Sequence, residues 1–271
     1  MDFVRIGNVV LHHAVSGPEG APAIVLVNAL GSDFRIWSTV APHLATRHRV
    51  IVCDKRGHGL SDCPPGPWSI DDHVDDLLGL LDHLGIRRVL AVGLSVGGLV
   101  VQRLYQRAPQ RVAGLVLACT AARIGTEEVW NARIAEVEAG GVAPLVANVL
   151  TRWFSPAFRA RHPDAVAGWG NMVARTPAAG YAATCAALRD ADYRAAAAEI
   201  AVPVLCIAGD QDGSTPAEVV AATAALIPGA RLEILAGAAH MAGIEQGPHV
   251  AGLIAAHAVA CNHAGGWGDA I

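Results

Sequence analysis

The sequence predicts a doubly wound α/β fold: a mostly parallel sheet of about eight strands, flanked by helices and interrupted by an all-helical insertion. Three observations predict it. Short apolar runs of strand length alternate with longer amphipathic stretches. Most of the runs are apolar throughout, the pattern of strands covered on both faces. The alternation fails once, between Arg123 and Arg194, where an Ala-rich, helix-patterned stretch holds no convincing strand.

Runs at 4–6 and 9–14 straddle Gly7-Asn8, a hairpin signal that adds an antiparallel edge. Six further strands are expected at AIVLV (23–27), RVIVC (49–53), RVLAV (88–92), VAGLVLA (112–118), VPVLCIA (202–208) and ARLEIL (230–235). Helices are expected over 34–45, 70–84, 96–107, 216–227 and 249–263. In the second of these, Ile70, Val74, Leu77, Leu78, Leu81 and Leu84 recur at helical spacing, one apolar face. Inside the insertion, Gly140-Gly141, Ser155-Pro156, His162-Pro163 and Thr176-Pro177 are breakers, and four short helices are expected, forming a cap or lid. The predicted organisation is an α/β core over 1–122 and 195–263, a helical cap over 123–194, and a Gly-rich, disordered tail over 264–271.

Composition narrows the function classes. The 271 residues are 53% hydrophobic and 16% charged, too apolar for a disordered chain. A formal net charge of −4 with no basic stretch makes nucleic acid a poor partner. No uninterrupted apolar run of about 18 residues suggests a membrane span, and the N-terminus lacks the pattern of a signal peptide. The six cysteines form no CxxC pair and no zinc-ligand spacing, so buried thiols, a reducing compartment and a cytoplasmic location are expected. Lys55 is the single lysine; the Arg-for-Lys bias reads as a property of composition.

The sharpest motif is Gly93-Leu94-Ser95-Val96-Gly97-Gly98, between a predicted strand and a predicted helix. G-x-S-x-G in that context is a nucleophile elbow, whose strained turn leaves no room for side chains beside the serine. Ser95 is the candidate nucleophile, placed at the positive end of the following helix. A serine nucleophile needs a base and an acid to orient it, and in this fold class they follow the serine in the order acid, then histidine. His240, in the loop after 230–235, is the candidate base among twelve histidines. In Gly209-Asp210-Gln211-Asp212, the G-x-x-D spacing selects Asp212 as the acid, with Asp210 capping the loop. Two backbone N–H groups should form the oxyanion hole: Val96, after the nucleophile, and Leu30, in the loop Asn28-Ala29-Leu30-Gly31.

LVNALGSDFRIW (26–37), DKRGHGLSD (54–62), GLSVGG (93–98), IAGDQDGSTP (207–216) and GAAHMAGIEQ (237–246) together resemble the α/β-hydrolases. The Asn-Ala-Leu-Gly loop and the stretches AARIGTEEVWNARI (121–134), RWFSPAFRARHP (152–163) and ALRDADYR (187–194) narrow the resemblance to the 3-oxoadipate enol-lactonase family of the β-ketoadipate pathway of aromatic catabolism. The resemblance runs to about residue 260; an extra Gly247 before Pro248 and an unfamiliar tail depart from it. It implies a carboxylic ester hydrolase in which water opens a small, anionic enol-lactone, with no metal or organic cofactor. The substrate's free carboxylate calls for an arginine in an apolar pocket. Of the cap arginines, Arg133 is the candidate, with Trp130 on the same helix face walling the pocket. Trp153 either packs within the cap or forms a second wall. Arg56 and His58 are expected to build their loop. A same-triad enzyme for another lactone, an aryl ester or a C–C bond remains an alternative, as does a non-catalytic ligand receptor on the same fold. A homo-oligomer is compatible with the sequence.

Overall fold

The structure, a computed structural model, describes residues 1–263; the expected tail over 264–271 lies outside the described residues. Gly7 takes φ 56° and turns β1 (Asp2–Ile6) into β2 (Val9–Ser16). The two strands pair antiparallel from Asp2–His13 to Ile6–Val9. The apolar runs become β3 (Ala23–Val27), β4 (Arg49–Cys53), β5 (Val89–Leu94), β6 (Val112–Ala118), β7 (Val204–Gly209) and β8 (Arg231–Leu235). They complete an eight-stranded sheet of order β1-β2-β4-β3-β5-β6-β7-β8, parallel from β4 onward. The strand β3 has its successor β4 on one side and β5 on the other, so the order reverses there. Their carboxyl ends lie level, Val27 opposite Gly93, which makes the crevice beyond them the natural place for a site.

Eleven α-helices accompany the sheet: α1 (Ala41–Leu44), α2 (Ile70–His83), α3 (Val96–Arg107), α4 (Glu127–Gly140), α5 (Val146–Trp153), α6 (Pro156–Arg161), α7 (Pro163–Ala174), α8 (Ala178–Asp190), α9 (Ala217–Leu226), α10 (Ala242–Glu245) and α11 (Gly247–His263), counted among the described residues. At the start of α2, Asp72 Oδ2 reaches back and accepts from both the N–H and the hydroxyl of Ser69 at 2.8 Å. Alternate residues of each central strand enter opposite cores. Ile24, Leu26, Val50, Val92 and Val116 pack on one face with Trp37, Leu44 and Ile254. Val25, Val27, Ile51, Ala91 and Leu115 pack on the other with Val74, Leu81, Leu99 and Val220. Each fully buried Val, Leu or Ile stabilises the fold by roughly 1.5–3 kcal/mol.

Two expectations are corrected. The single helix over 34–45 is a 3-10 turn at Phe34–Trp37 followed by α1. Pro42 is the cause: it has no N–H to continue a helix from upstream and is tolerated only in a first turn. The insertion holds five α-helices, α4 to α8, and a 3-10 turn, where four helices were expected. The four breakers all act, and four breaks separate five segments; Gly141 leaves α4 at φ 72°, and Pro156 and Pro163 open α6 and α7.

The insertion docks on the core through α8, whose middle is buried along its whole circumference. The contact is backbone on backbone: a Cβ on Gly180 would collide with the carbonyl of Gly57, and one on Gly57 with the Cα of Gly180. Five cysteines are buried and Cys63 is exposed, all as free thiols. No helix among the described residues is long and apolar enough to cross a membrane.

Candidate active site

Ser95 sits between β5 and α3 at φ 57° and ψ −121°, a conformation that costs a non-glycine residue of order 1–3 kcal/mol. The surrounding structure holds it there. Its N–H donates to the Ala118 carbonyl at 3.0 Å, and its carbonyl accepts from Gly98 N–H at 2.8 Å and from Thr120 Oγ1 at 2.6 Å. The glycines of the motif are steric requirements: a Cβ on Gly93 would strike the Gly97 carbonyl, and a Cβ on Gly97 would strike the Val27 carbonyl. The half-buried Ser95 side chain is thereby held at the first turn of α3, where backbone N–H groups lack intrahelical partners.

His240 and Asp212 come from the loops after β8 and β7 and meet at 2.8 Å, Nδ1 to Oδ2, with both side chains almost fully buried. A carboxylate can only accept, so Nδ1 carries the proton and Nε2 is left as the acceptor. Asp212 is saturated. Its Oδ1 accepts from Ser214 N–H at 2.7 Å and Thr215 N–H at 3.0 Å, and its Oδ2 accepts from Thr215 Oγ1 at 2.8 Å as well as from His240. Burial alone would raise its pKa; the His240 imidazole and these donors outweigh burial and hold it below the ordinary carboxylate value. Asp210 faces elsewhere, accepting from Gly237 N–H at 2.8 Å across the same two loops.

In the loop after β3, His58 Nδ1 faces the Arg56 carbonyl at 3.1 Å, and its Nε2 accepts from Gly31 N–H at 3.0 Å. Burial first, and the Lys55 charge second, hold the His58 imidazole well below its ordinary pKa, so it is neutral and keeps that tautomer. Ser32 turns back on the Ala29 carbonyl through its N–H (3.4 Å) and its Oγ (2.9 Å). Leu30 N–H is left without a hydrogen bond among the described residues. Arg56 is spent on a buried pair with Asp76, two bonds of 2.7 Å.

These pieces converge on one cavity of about 140 Å³. Core residues Leu30, Ser95, Thr215 and His240 line one side of it, and Trp130, Arg133, Arg152, Trp153 and Tyr181 of the insertion line the other. Trp130 is fixed by its indole N–H, which donates to the Ile124 carbonyl at 2.6 Å. Arg133 lies at 3.4 Å from both the Tyr181 hydroxyl and Glu136. Burial pushes the Tyr181 phenol up to about 12, so it is a neutral neighbour. Arg152 borders the cavity with no ion pair among the described residues. Three other insertion arginines are engaged elsewhere: Arg123 and Arg194 with Asp192, and Arg189 with Asp190. Trp153, offered either packing or a wall, does both: it is buried in the core cluster and lines the cavity.

Sequence reasoning missed three participants. Tyr181 packs its ring against the loop after β3 so closely that a Cβ on Gly31 would touch it. Thr215 completes the shell of Asp212. Glu245 spans the seam between insertion and core, accepting from Ser155 N–H at 2.6 Å and from Ala239 N–H at 3.2 Å. Beside it, Met241 N–H donates to the Trp153 carbonyl at 2.9 Å, so the His240 loop and the Trp153 wall are tied together. No local pattern marks Tyr181 and Glu245, whose partners Gly31 and Ser155 lie far away in sequence, whereas Thr215 is three residues from Asp212 in the same loop.

A larger cavity of about 430 Å³, bordered by His12, Asp33, Arg35, Leu60 and Arg175, contains neither Ser95 nor His240. One cluster among the described residues has metal-ligand character: Cys119, Asp212 and His240, with ligand atoms within 4.8 Å. Asp212 has all its acceptor directions occupied there, and burial followed by the Asp212 charge pushes the Cys119 thiol well above its ordinary pKa. The cluster is an acid–base pair with a protonated thiol beside it, a poor cage for an ion.

Comparison with known proteins places this geometry among relatives. The model of a family described as alpha/beta hydrolase fold matches residues 22–246. The 3-oxoadipate enol-lactonase 2 of Acinetobacter baylyi is 36% identical over 245 residues, 90% of this chain and 91% of that protein. The 3-oxoadipate enol-lactonase 1 of the same organism is 42% identical over 203 residues, 74% of this chain and 75% of that protein. The crystal structure of the enol-lactonase from Burkholderia xenovorans LB400 superposes with a TM-score of 0.92 at 35% identity, covering 95% of this chain and 100% of that one.

Proposed function

The chain belongs to the α/β-hydrolase fold family and is a hydrolase, and on that premise we propose that it opens 3-oxoadipate enol-lactone with water to give 3-oxoadipate. The observation that carries the reading is the meeting of Ser95, the His240–Asp212 pair and the unpaired Leu30 N–H in one small cavity that also holds arginine.

His240 Nε2 takes the Ser95 proton as Oγ attacks the lactone carbonyl. The tetrahedral oxyanion accepts hydrogen bonds from Leu30 N–H and Val96 N–H, each contributing roughly 3 kcal/mol to the transition state. The ring C–O bond then breaks. The leaving oxygen is an enolate, which receives the proton from His240 and relaxes to the ketone while still joined to the acyl chain. Water, deprotonated by His240, attacks the Ser95 ester and releases the dicarboxylate. The reaction asks for no metal or organic cofactor.

Three features support this substrate class. A cavity of about 140 Å³ is well below the ~300 Å³ floor of drug-sized sites, which favours a compact acyl group over a long-chain ester. Arg133, mostly buried and three residues from Trp130 on α4, is placed to pair with the lactone's carboxylate while the indole walls the ring. The relatives named above are enol-lactonases across most of their length. On this reading the protein acts in the cytoplasm, in the β-ketoadipate route of aromatic catabolism.

The test compares the enol-lactone with p-nitrophenyl acetate, which has no carboxylate. Wild type should prefer the lactone. Arg133→Ala should raise KM for the lactone roughly 10- to 150-fold, the loss of a charged hydrogen bond worth ~1.5–3 kcal/mol, and leave the neutral ester unaffected. A change confined to Arg152→Ala would move the carboxylate to that arginine. Failure of wild type to open the lactone while it cleaves the ester would overturn the substrate.

A further inference from the structure

Lys55 is the single lysine of the chain. It follows β4, and its side chain is buried although an ammonium in the interior is costly. The steps above make no use of it. Its Nζ donates to the Ala29 carbonyl at 2.9 Å. Ala29 C=O and Leu30 N–H belong to the same trans peptide unit, in which the two bonds point in opposite directions. Whatever fixes the carbonyl therefore aims the amide.

We propose that Lys55 is a positioning residue of the oxyanion hole: by clamping the Ala29 carbonyl it aims Leu30 N–H at the reacting carbonyl oxygen and polarises that peptide toward donation. The inference rests on the serine-hydrolase reading of Ser95 and does not depend on which ester or lactone is the substrate.

The rest of the loop supports this assignment. Gly31 N–H is taken by His58, and Asn28 Nδ2 donates to the Ser32 carbonyl. The Ala29 carbonyl has two further donors, both from Ser32 three residues away. Those donors belong to the same loop as the carbonyl. Lys55 is the donor anchored outside that loop, two residues after β4, whose Cys53 lies level with Val27 at the end of β3. Lys55 borders a cavity of only about 10 Å³, which it shares with Val27, Asp54, His73, Asp76 and Val100. A peptide flip that put the Ala29 carbonyl into the hole would leave both that carbonyl and the Lys55 nitrogen without their partner. Burial pushes the Lys55 ammonium down to about 7; charged or neutral, the nitrogen retains an N–H for the carbonyl, so the clamp does not depend on titration.

The experiment uses Lys55→Met, which keeps the length of the stem and loses the donor, and Lys55→Gln, which retains an N–H on a shorter stem. Both are assayed with p-nitrophenyl acetate, with rates normalised to Ser95 sites titrated by an irreversible phosphonate, so that an incompletely folded variant is still read per competent site. Affinity is measured for a boronic acid, which forms a tetrahedral adduct on serine, and for a planar carboxylate product. In Lys55→Met, kcat should fall about 10- to 100-fold, short of the ~10²–10³ for deleting an oxyanion donor outright, with KM changed little. Boronate affinity should weaken by the same factor and product affinity should hold, while Lys55→Gln should recover part of the loss. If Met fails to fold, the ratio of boronate to product affinity in the Gln variant decides. Unchanged kcat per site, or equal weakening of boronate and product, would overturn the positioning role. Wild type that neither cleaves the ester nor binds the boronate would instead overturn the serine-hydrolase reading beneath it.

Discussion

Replacing Asp212 by asparagine removes one charge and little volume from a site where every contact is known. Two of the four hydrogen bonds to Asp212, those from Ser214 and Thr215 N–H to Oδ1, survive if the amide oxygen takes that position. The amide NH2 then replaces Oδ2, facing Thr215 Oγ1 and His240 Nδ1. The hydroxyl can turn and accept. The imidazole can accept at Nδ1 only by moving its proton to Nε2, which leaves it unable to take the Ser95 proton. The fold should therefore survive while kcat falls ~10⁴-fold, about 5 kcal/mol of transition-state stabilisation at ~1.4 kcal/mol per tenfold. Stability carries a second signature. The folded pKa of Asp212 lies below its unfolded value, so its contribution is fully present above the unfolded pKa of ~3.9 and is lost as pH falls through the folded value. Wild type should thus lose stability relative to Asp212→Asn only on acidification below about pH 4. The assay is the steady-state rate on p-nitrophenyl acetate, with urea unfolding at several pH values. A variant within tenfold of wild-type kcat, with its fold intact, would refute the assigned role of Asp212.

Gly97→Ala should prevent the elbow from closing, since its Cβ would meet the Val27 carbonyl; urea unfolding should read roughly 2–4 kcal/mol lost, and a fully stable variant would contradict the steric account. Lys55 is pushed down to about 7 by burial, against the opposing influence of Cys53, Asp54 and Asp33. Between that value and the ordinary 10.5, the unfolded chain binds the extra proton, so wild-type stability should rise with pH across this window. Lys55→Met lacks this term, and the difference in urea midpoint between the two proteins should shift in favour of wild type from pH 6.5 to 9.5; a pH-independent difference would contradict the depressed value.

What the sequence disclosed and what it withheld differ in a physical way. Period, run length and turn chemistry are local, so the strands, the hairpin at Gly7 and the elbow at Ser95 were legible within a few residues. The breakers of the insertion were legible for the same reason, although the helices between them were undercounted, and Pro42 divides what periodicity reads as one helix. The order of motifs along the chain pointed to the loop after β7, and the G-x-x-D spacing chose Asp212 over Asp210 within it, since both follow the same strand. Contacts across long sequence separations left no trace. Lys55 looked like compositional bias because its partner, the Ala29 carbonyl, is a backbone atom 26 residues upstream. Glu245 and Tyr181 carry ordinary residue types at ordinary helical positions, and their meaning lies in Ser155, Ala239 and the loop after β3 that folding brings to them.

The central claim is that Ser95 is acylated by an enol-lactone and released by water. Purified wild type and Ser95→Ala should be mixed with 3-oxoadipate enol-lactone, and the loss of its ultraviolet absorbance followed. The account predicts rapid loss with wild type and none above the spontaneous rate with Ser95→Ala. Undiminished turnover by Ser95→Ala would contradict it.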